Sequence, residues 1–265
     1  MNLSAYVGGL GVLGPGLANW PQAAAVLSGR TIYRPAATVL PMPPILAAAE
    51  RRRVGRVVKL ALGVALEATA QAGENPLELA SVFSSSGGDG HNCHELCHVL
   101  SLPGREISPT RFANSVHNAA AGYWSIGTGA TVESNVLCAF DASFCAGLLE
   151  AMAQVAVDGS PVLLVAYDSE YPEPLHAKRP IPDAFGVALV LTPQQRAASL
   201  ARLDARFSDA PADVCEDPAF EALRSSFPAA RSLPLLRLLA SPQGGTAVLE
   251  YLDVLRLQVE IEPCS

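Results

Sequence analysis

The stretch from Val132 to Met152 limits most tightly what this chain can fold into. A strand-like run, Val132-Glu133-Ser134-Asn135-Val136-Leu137-Cys138-Ala139-Phe140, leads directly into Asp141-Ala142-Ser143. A small-residue helix start follows, Phe144-Cys145-Ala146-Gly147-Leu148-Leu149-Glu150-Ala151-Met152. Asp141 or Ser143 can cap that helix, because a short side-chain oxygen accepts from the free amides of a first turn. A second apolar strand runs from Pro161 to Tyr167. The expectation is a strand, a tight elbow, a buried helix and a further strand. Many enzymes carry a nucleophile on such an elbow, where a helix N-terminus lowers a thiol pKa. Counted along the helix to Gly159, the tip falls on Asp141 or Ala142, with Cys138 before it and Cys145 after. The scaffold is that of a nucleophile elbow without a nucleophile at its tip.

Half of the 265 residues are apolar, which is enough for a sizeable core. A formal charge of −7 argues against nucleic acid or an anionic membrane as the main partner. It also means that an acidic carrier protein would have to dock locally. No apolar run reads as long enough to span a bilayer, and the N-terminus lacks the basic region of a secretory signal. Six cysteines, at 93, 97, 138, 145, 215 and 264, read as free thiols of a reducing cytoplasm.

Taken in order, Ser4–Val7 reads as a short strand leading into Gly8-Gly9-Leu10-Gly11-Val12-Leu13-Gly14. Gly9, Gly11 and Gly14 match the G-x-G-x-x-G dinucleotide pattern, but Pro15-Gly16 interrupts the required helix and no acid appears before Glu50. A glycine-rich strand exit is the preferred reading. Asn19–Leu27 reads as a short surface helix, and the proline-rich 34–44 as an extended surface run. A long helix is expected from Glu50 to Ala72, stopped by Gly73; apolar on every side over Leu60–Leu66, it should lie buried between layers. Its Glu50-Arg51-Arg52-Arg53 start reads as a solvated helix end.

Leu79–Ser84 reads as a buried strand, closed by the turn Ser84–Gly90. In His91-Asn92-Cys93-His94-Glu95-Leu96-Cys97-His98 the cysteines share one helical face and the histidines the next. With no second ligand pair elsewhere in the chain, this reads as a helix with cysteines inward, and no metal is expected. Asn114–Ile126 reads as a small-residue helix, and Ala184–Leu191 as a strand. Residues 200–207 alternate imperfectly, 220–223 and 233–239 look helical, and 247–251 with 255–261 suit a closing antiparallel hairpin. No linker or repeat divides the chain, so one domain over 1–265 is expected, with a core of 1–192 and a C-terminal extension of 193–265.

Several of these segments together resemble the N-terminal half of a β-ketoacyl synthase. They are Gly9-Leu10-Gly11-Val12 with Pro15-Gly16 and Trp20, the helix Glu50–Leu66, Val82–Gly88, and Ile107-Ser108-Pro109 through Asn118-Ala119-Ala120-Ala121-Gly122. The resemblance covers most of residues 5–191 and implies a thiolase-like α/β fold with a layered α-β-α arrangement. A working ketosynthase has a cysteine at the elbow tip and histidines from a second half; neither is found here, and the chain ends before a second half could be built. Across Ser108-Pro109-Thr110-Arg111-Phe112 and Ser115-Val116-His117-Asn118 the sequence is most similar to short chain-length-factor-like proteins of aryl polyene type II polyketide systems.

That resemblance implies a non-catalytic, cytoplasmic subunit paired with a catalytic β-ketoacyl synthase, meeting acyl carrier protein only indirectly and needing no cofactor. It implies that Ser115, Val116, His117, Ala121 and Tyr123 line or close an acyl tunnel at the shared interface, with Phe140, Asp141 and Phe144 packed beneath. Two alternatives remain open: an acyltransferase with Cys145 as nucleophile and His117 as base, and an assembly scaffold with no pocket.

Overall fold

The computed structural model describes residues 2–264. Its frame is an eight-stranded sheet with helices on both faces, the expected α-β-α layering. Strands β1 (Asn2–Leu13), β2 (Ala80–Ser84), β3 (Ser134–Leu137), β4 (Val162–Asp168), β5 (Phe185–Thr192), β6 (Ala201–Ser208), β7 (Gly245–Glu250) and β8 (Arg256–Pro263) lie in the order β3-β2-β4-β5-β1-β6-β8-β7. β3, β2 and β4 are parallel, and every other pairing is antiparallel. β4 and β5 are buried along their whole length, which is why both read as unbroken apolar runs. The imperfect 200–207 stretch is β6, and the last two strands form the expected hairpin. The hairpin sits at the edge of the same sheet, because β6 pairs with residues 2–7 of β1.

The glycine run of β1 is shaped by a helix. Helix α3 (Arg56–Ala72) follows α1 (Trp20–Leu27) and the single turn α2 (Ala48–Arg51), and it lies directly on β1. A Cβ on Gly9 would stand 2.1 Å from the carbonyl oxygen of Ala68, and one on Gly11 would stand 2.2 Å from that of Val64. Only glycine admits backbone-to-backbone contact at that range. A bulge at Gly8 shifts the register, so Ala5 and Val7 before it and Leu10 and Val12 after it all face the opposite helical layer. Past the end of the β6 pairing, Gln71 accepts from the Leu10 amide (2.8 Å) and Glu67 from the Val12 amide (3.0 Å). The dinucleotide-like pattern is therefore used up in helix packing.

Several boundaries differ from expectation for local reasons. The long helix does not start at Glu50: the chain breaks at Arg52–Gly55, and extended Gly55 makes room for the Asp89 carboxylate. It ends as expected, with Gly73 left-handed at φ 66°. Its outer side is covered by the proline-rich segment, Pro41 packing at Gly63 and Leu46 being buried. α1 buries one face, with Trp20, Ala23, Val26 and Leu27, and leaves Pro21 exposed. Helix α4 (Gly90–Ser101) turns Asn92 inward, where it donates to the Arg111 carbonyl, and leaves Cys93 and Cys97 exposed, the reverse of the expected face. The expected 114–126 helix begins only at Ala119, as α6 (Ala119–Thr128); residues 114–118 form the turn that follows a short α5 (Pro109–Ala113). The Asn114 amide donates to the Arg53 carbonyl and its oxygen accepts from the Tyr123 hydroxyl.

Helix α7 (Ser143–Asp158) packs on the other face, with α8 (Pro218–Ser226) and α9 (Leu233–Leu239). Contrary to the sequence expectation, Phe140–Asp158 is long and apolar enough to cross a bilayer, with a mean hydropathy of 1.3 over its window. Its buried face, including Phe144, Leu148, Met152 and Val155, packs in the core as that of a core helix does.

The close contact predicts that Gly11→Ala costs about 2–3 kcal/mol of stability through forced separation of α3 and β1. In thermal unfolding the variant should melt roughly 5–10 °C lower. Gly122→Ala, where a Cβ would meet nothing within 4 Å on an exposed helical face, should be neutral or stabilising. Equal behaviour of the two variants would contradict the packing account.

Candidate functional site at the strand-to-helix elbow

β3 ends at Leu137, and a 3-10 turn at Phe140–Ala142 delivers the chain into α7. Phe140 has φ 52°, the left-handed region that a bulky residue enters only at a cost of about 1–3 kcal/mol. That conformation marks the tip, so the tip residue is Phe140 and neither Asp141 nor Ala142. The helical count placed the tip later because the 3-10 turn takes up residues assigned to regular helix. Ser143 holds the turn: its hydroxyl accepts from the Ala139 amide (3.1 Å) and donates to the Phe140 carbonyl (2.7 Å). Ser84 at the end of β2 donates to the Ser143 carbonyl at 2.5 Å.

Phe140 is 61% exposed in this chain. The Arg179 guanidinium covers one ring face, with Cζ 3.7 Å from the centroid. Asp141, the next residue, is held by two arginines. Its two oxygens accept from Arg179 and, at 3.0 Å, from Arg231. Arg231 also pairs with Glu250, which Arg224 bonds at 3.0 Å, and Arg224 pairs with Glu221 at 2.6 Å. An alternating ladder of three cations and three anions thus runs from the elbow to α8. Phe144 is buried in the core on the α7 side.

The glycine turn 84–90 forms the floor beside the elbow. Cys138 donates to the Ser86 carbonyl (3.3 Å), and a ring nitrogen of His117 lies 3.2 Å from the Ser85 carbonyl. Tyr171 lies flat against Gly87 and Gly90, where Cβ atoms would stand 2.0 and 1.9 Å from it. Beneath, Asp168 accepts from the amide and hydroxyl of Ser86 (2.9 and 2.6 Å) and from the Ala229 amide (3.0 Å). Burial pushes the Asp168 carboxyl up to about 6, against the pull of those donors and of Arg179. Asp168, Tyr171 and Arg179 were not singled out from sequence. Asp168 ends an apolar strand, a placement that offered the only signal.

Among the tunnel candidates, Ser115 and Val116 are exposed in the turn between α5 and α6, and Phe112 and Ile126 are exposed as well. Val116, Ala119, Gly122, Tyr123 and Ile126 help to line an open groove of about 530 Å³. Ala121 lies outside that lining, buried in the α3-side core. Cys145 is buried in the α7-side core, and burial pushes its thiol up to about 12. Burial and the raised thiol both disfavour the thiolate that the Cys145–His117 alternative needs. Among the described residues no three His, Cys, Asp or Glu side chains gather as metal ligands. Partial burial, with the neighbouring Cys97 thiol and Asp89, raises the Cys93 pKa.

Two outcomes follow. A maleimide at neutral pH should label the exposed Cys93, Cys97 and Cys138 in the folded chain and leave Cys145 unlabelled until denaturant is added; rapid labelling of Cys145 would contradict its burial. Because Asp168 binds its proton more tightly folded than unfolded, its contribution to stability is present below about pH 4 and is lost as pH rises to about 6. Relative to Asp168→Asn, the protein should lose about 3 kcal/mol between those values and then level off, measured by urea unfolding at each pH. A difference independent of pH would refute the assignment.

The sequence profile described as β-ketoacyl synthase, N-terminal domain, matches residues 19–241. No curated protein matches the chain by sequence. Among solved structures, it resembles the ketosynthase ApeO in complex with its chain length factor ApeC from Xenorhabdus doucetiae, with TM-score 0.73 and 23% identity over 97% of this chain and 99% of that one. It resembles the ishigamide ketosynthase/chain length factor with TM-score 0.72 and 13% identity, over 99% and 100% of the two chains. It also resembles AntDE:AntF, a type II PKS acyl-carrier protein in complex with its ketosynthase, with TM-score 0.75 and 11% identity over the whole of both chains. At these identities the likeness is one of fold, the thiolase-like arrangement expected from sequence. With most of its length matched by that profile, the chain belongs to the β-ketoacyl synthase N-terminal domain family.

Proposed function

We propose that this chain is a non-catalytic, chain-length-factor-like subunit that pairs with a catalytic β-ketoacyl synthase. The observation that carries the reading is Phe140 at the elbow tip. A phenyl ring offers no nucleophile at the position the fold reserves for one, and the nearby Cys145 is buried with a neutral thiol. The chemistry then belongs to the partner, and this chain supplies shape, without a cofactor of its own.

Two features support a partner on the elbow side. β3 is an edge strand whose outer side pairs with no other described strand, a ready template for another chain. Nearby in sequence, Phe112, Val116 and Ile126 present apolar surface on α5–α6. Docking there would enclose the groove at Val116 and Tyr123 between the subunits. Resemblance to the type II PKS complex AntDE:AntF favours a type II polyketide product over a fatty-acid-like one, and the sequence resemblance above favours one of aryl polyene type. Acyl carrier protein would meet chiefly the partner, and the six free cysteines suit the cytoplasm.

Replacing Val116 by Ala or by Phe, and Tyr123 by Leu, in a reconstituted pair should lengthen products where space is gained and shorten them where it is lost. Product length that stays constant across the three variants, in pairs that still turn over, would remove the tunnel assignment.

A further inference from the structure

Helix α4 carries two thiols for which the subunit reading has no use. Cys93 and Cys97 stand one turn apart on one face, and both are exposed. Residues four apart on a helix hold their Cβ atoms about 5–6 Å from each other, and a disulfide needs about 4 Å. Contraction of that single turn joins the two sulfurs, and the strain it stores leaves the bond easily reduced. In a reducing compartment a disulfide of this transient kind is the one that serves as a sensor. The two ends of α4 resist such a contraction differently. At the start, Asp89 accepts from the Asn92 amide (2.9 Å) and the Cys93 amide donates to the Asp89 carbonyl (3.0 Å). The buried Asn92 side chain donates to the Arg111 carbonyl (2.8 Å). At the other end the helix runs out into residues 102–106, all exposed. Closure therefore draws the Cys97 end toward the pinned Cys93 end. Glu95 lies between the two thiols and pairs with Arg111 of α5 at 3.4 Å, so α5 feels the movement.

We propose that Cys93 and Cys97 are a modification site, a peroxide-sensitive dithiol that closes to a disulfide across one turn of α4 and loosens the hold of α4 on α5. Partial burial, with the neighbouring Cys97 thiol and Asp89, keeps the proton on Cys93. Cys97, on the unpinned side, is the sulfur oxidised first. Its thiolate attacks the O–O bond of the peroxide, leaving a sulfenic acid and one water. The Cys93 sulfur then displaces the sulfenic hydroxyl, which departs with the Cys93 proton as a second water while the S–S bond forms. Two thiols and one peroxide thus give one disulfide and two waters, and a thiol reductant reverses the step by exchange. Neither cysteine lines the groove at Val116 and Tyr123, so the site stands whether or not the chain pairs with a ketosynthase.

The test treats the full chain with stoichiometric hydrogen peroxide in the presence of a chelator, then with maleimide under native conditions, and reads intact and peptide masses. The peptide holding Cys93 and Cys97 should be lighter by the mass of two hydrogens. Maleimide should no longer reach either of them while still labelling Cys138, and dithiothreitol should restore both. Cys93→Ser should stop at a sulfenic acid on Cys97, captured by dimedone, and Cys97→Ser should leave Cys93 reduced. Both positions are exposed, so neither variant disturbs the core. Amide exchange over residues 108–118 should quicken in the oxidised chain and stay unchanged in peroxide-treated Cys93→Ser. Both thiols remaining alkylatable after peroxide, oxidation confined to Cys138, or disulfide-linked dimers in place of the internal bridge would overturn the site. An internal bridge with unchanged exchange over 108–118 would overturn its coupling to α5.

Discussion

The contact of α3 with β1 is the constraint on which the rest of the structure depends. Two carbonyls of the helix sit where the Cβ atoms of Gly9 and Gly11 would be, so the helix backbone rests on the strand itself. At that range α3 can extend Glu67 and Gln71 over the strand and take up amides that β6 leaves free. Burial raises the Glu67 carboxyl, and the amides of Trp20 and Val12 oppose that rise, so one side chain ties the first strand, the first helix and α3 together. With α3 fixed on one face, β4 and β5 are buried from both sides and α7 is held on the other. The elbow is aimed by these layers.

At the elbow, local strain and a long-range charge ladder oppose each other. Phe140 occupies an unfavourable backbone region, and Ser143, Ser84 and the Arg179–Asp141 pair hold it there. The ladder continues through Arg231 and Glu250 to α8, so residues after 200 help to set the conformation of the tip. Asp168 adds a second tie, joining the Ser86 turn to Ala229. Isolated surface ion pairs contribute little. A half-buried network whose members share partners is a better candidate for holding a strained turn.

Much of the fold was legible because burial writes itself into composition. Continuous apolar runs announced β4 and β5, and Gly73 announced the end of α3 in the conformation glycine favours. The elbow was legible as strand, turn and helix. Its tip was not, because a 3-10 turn shifts the count and a positive φ at phenylalanine leaves no compositional trace. The late start of α6 was hidden for a similar reason: the turn before it is held by Asn114 bonds to Arg53 and Tyr123 that sequence spacing does not show. The cysteine face of α4 was misjudged because Asn92, polar but bonded to Arg111, took the inward position. Arg179 lay in an irregular segment between strands, where side-chain reach cannot be inferred from periodicity.

The central claim is that this chain shapes a product and forms no covalent intermediate. The most direct measurement is intact mass spectrometry of each subunit after a co-purified pair has been incubated with malonyl-loaded carrier. The account predicts a one-to-one complex with acyl mass on the ketosynthase alone. Acyl mass on this chain, at any of its cysteines, would contradict it.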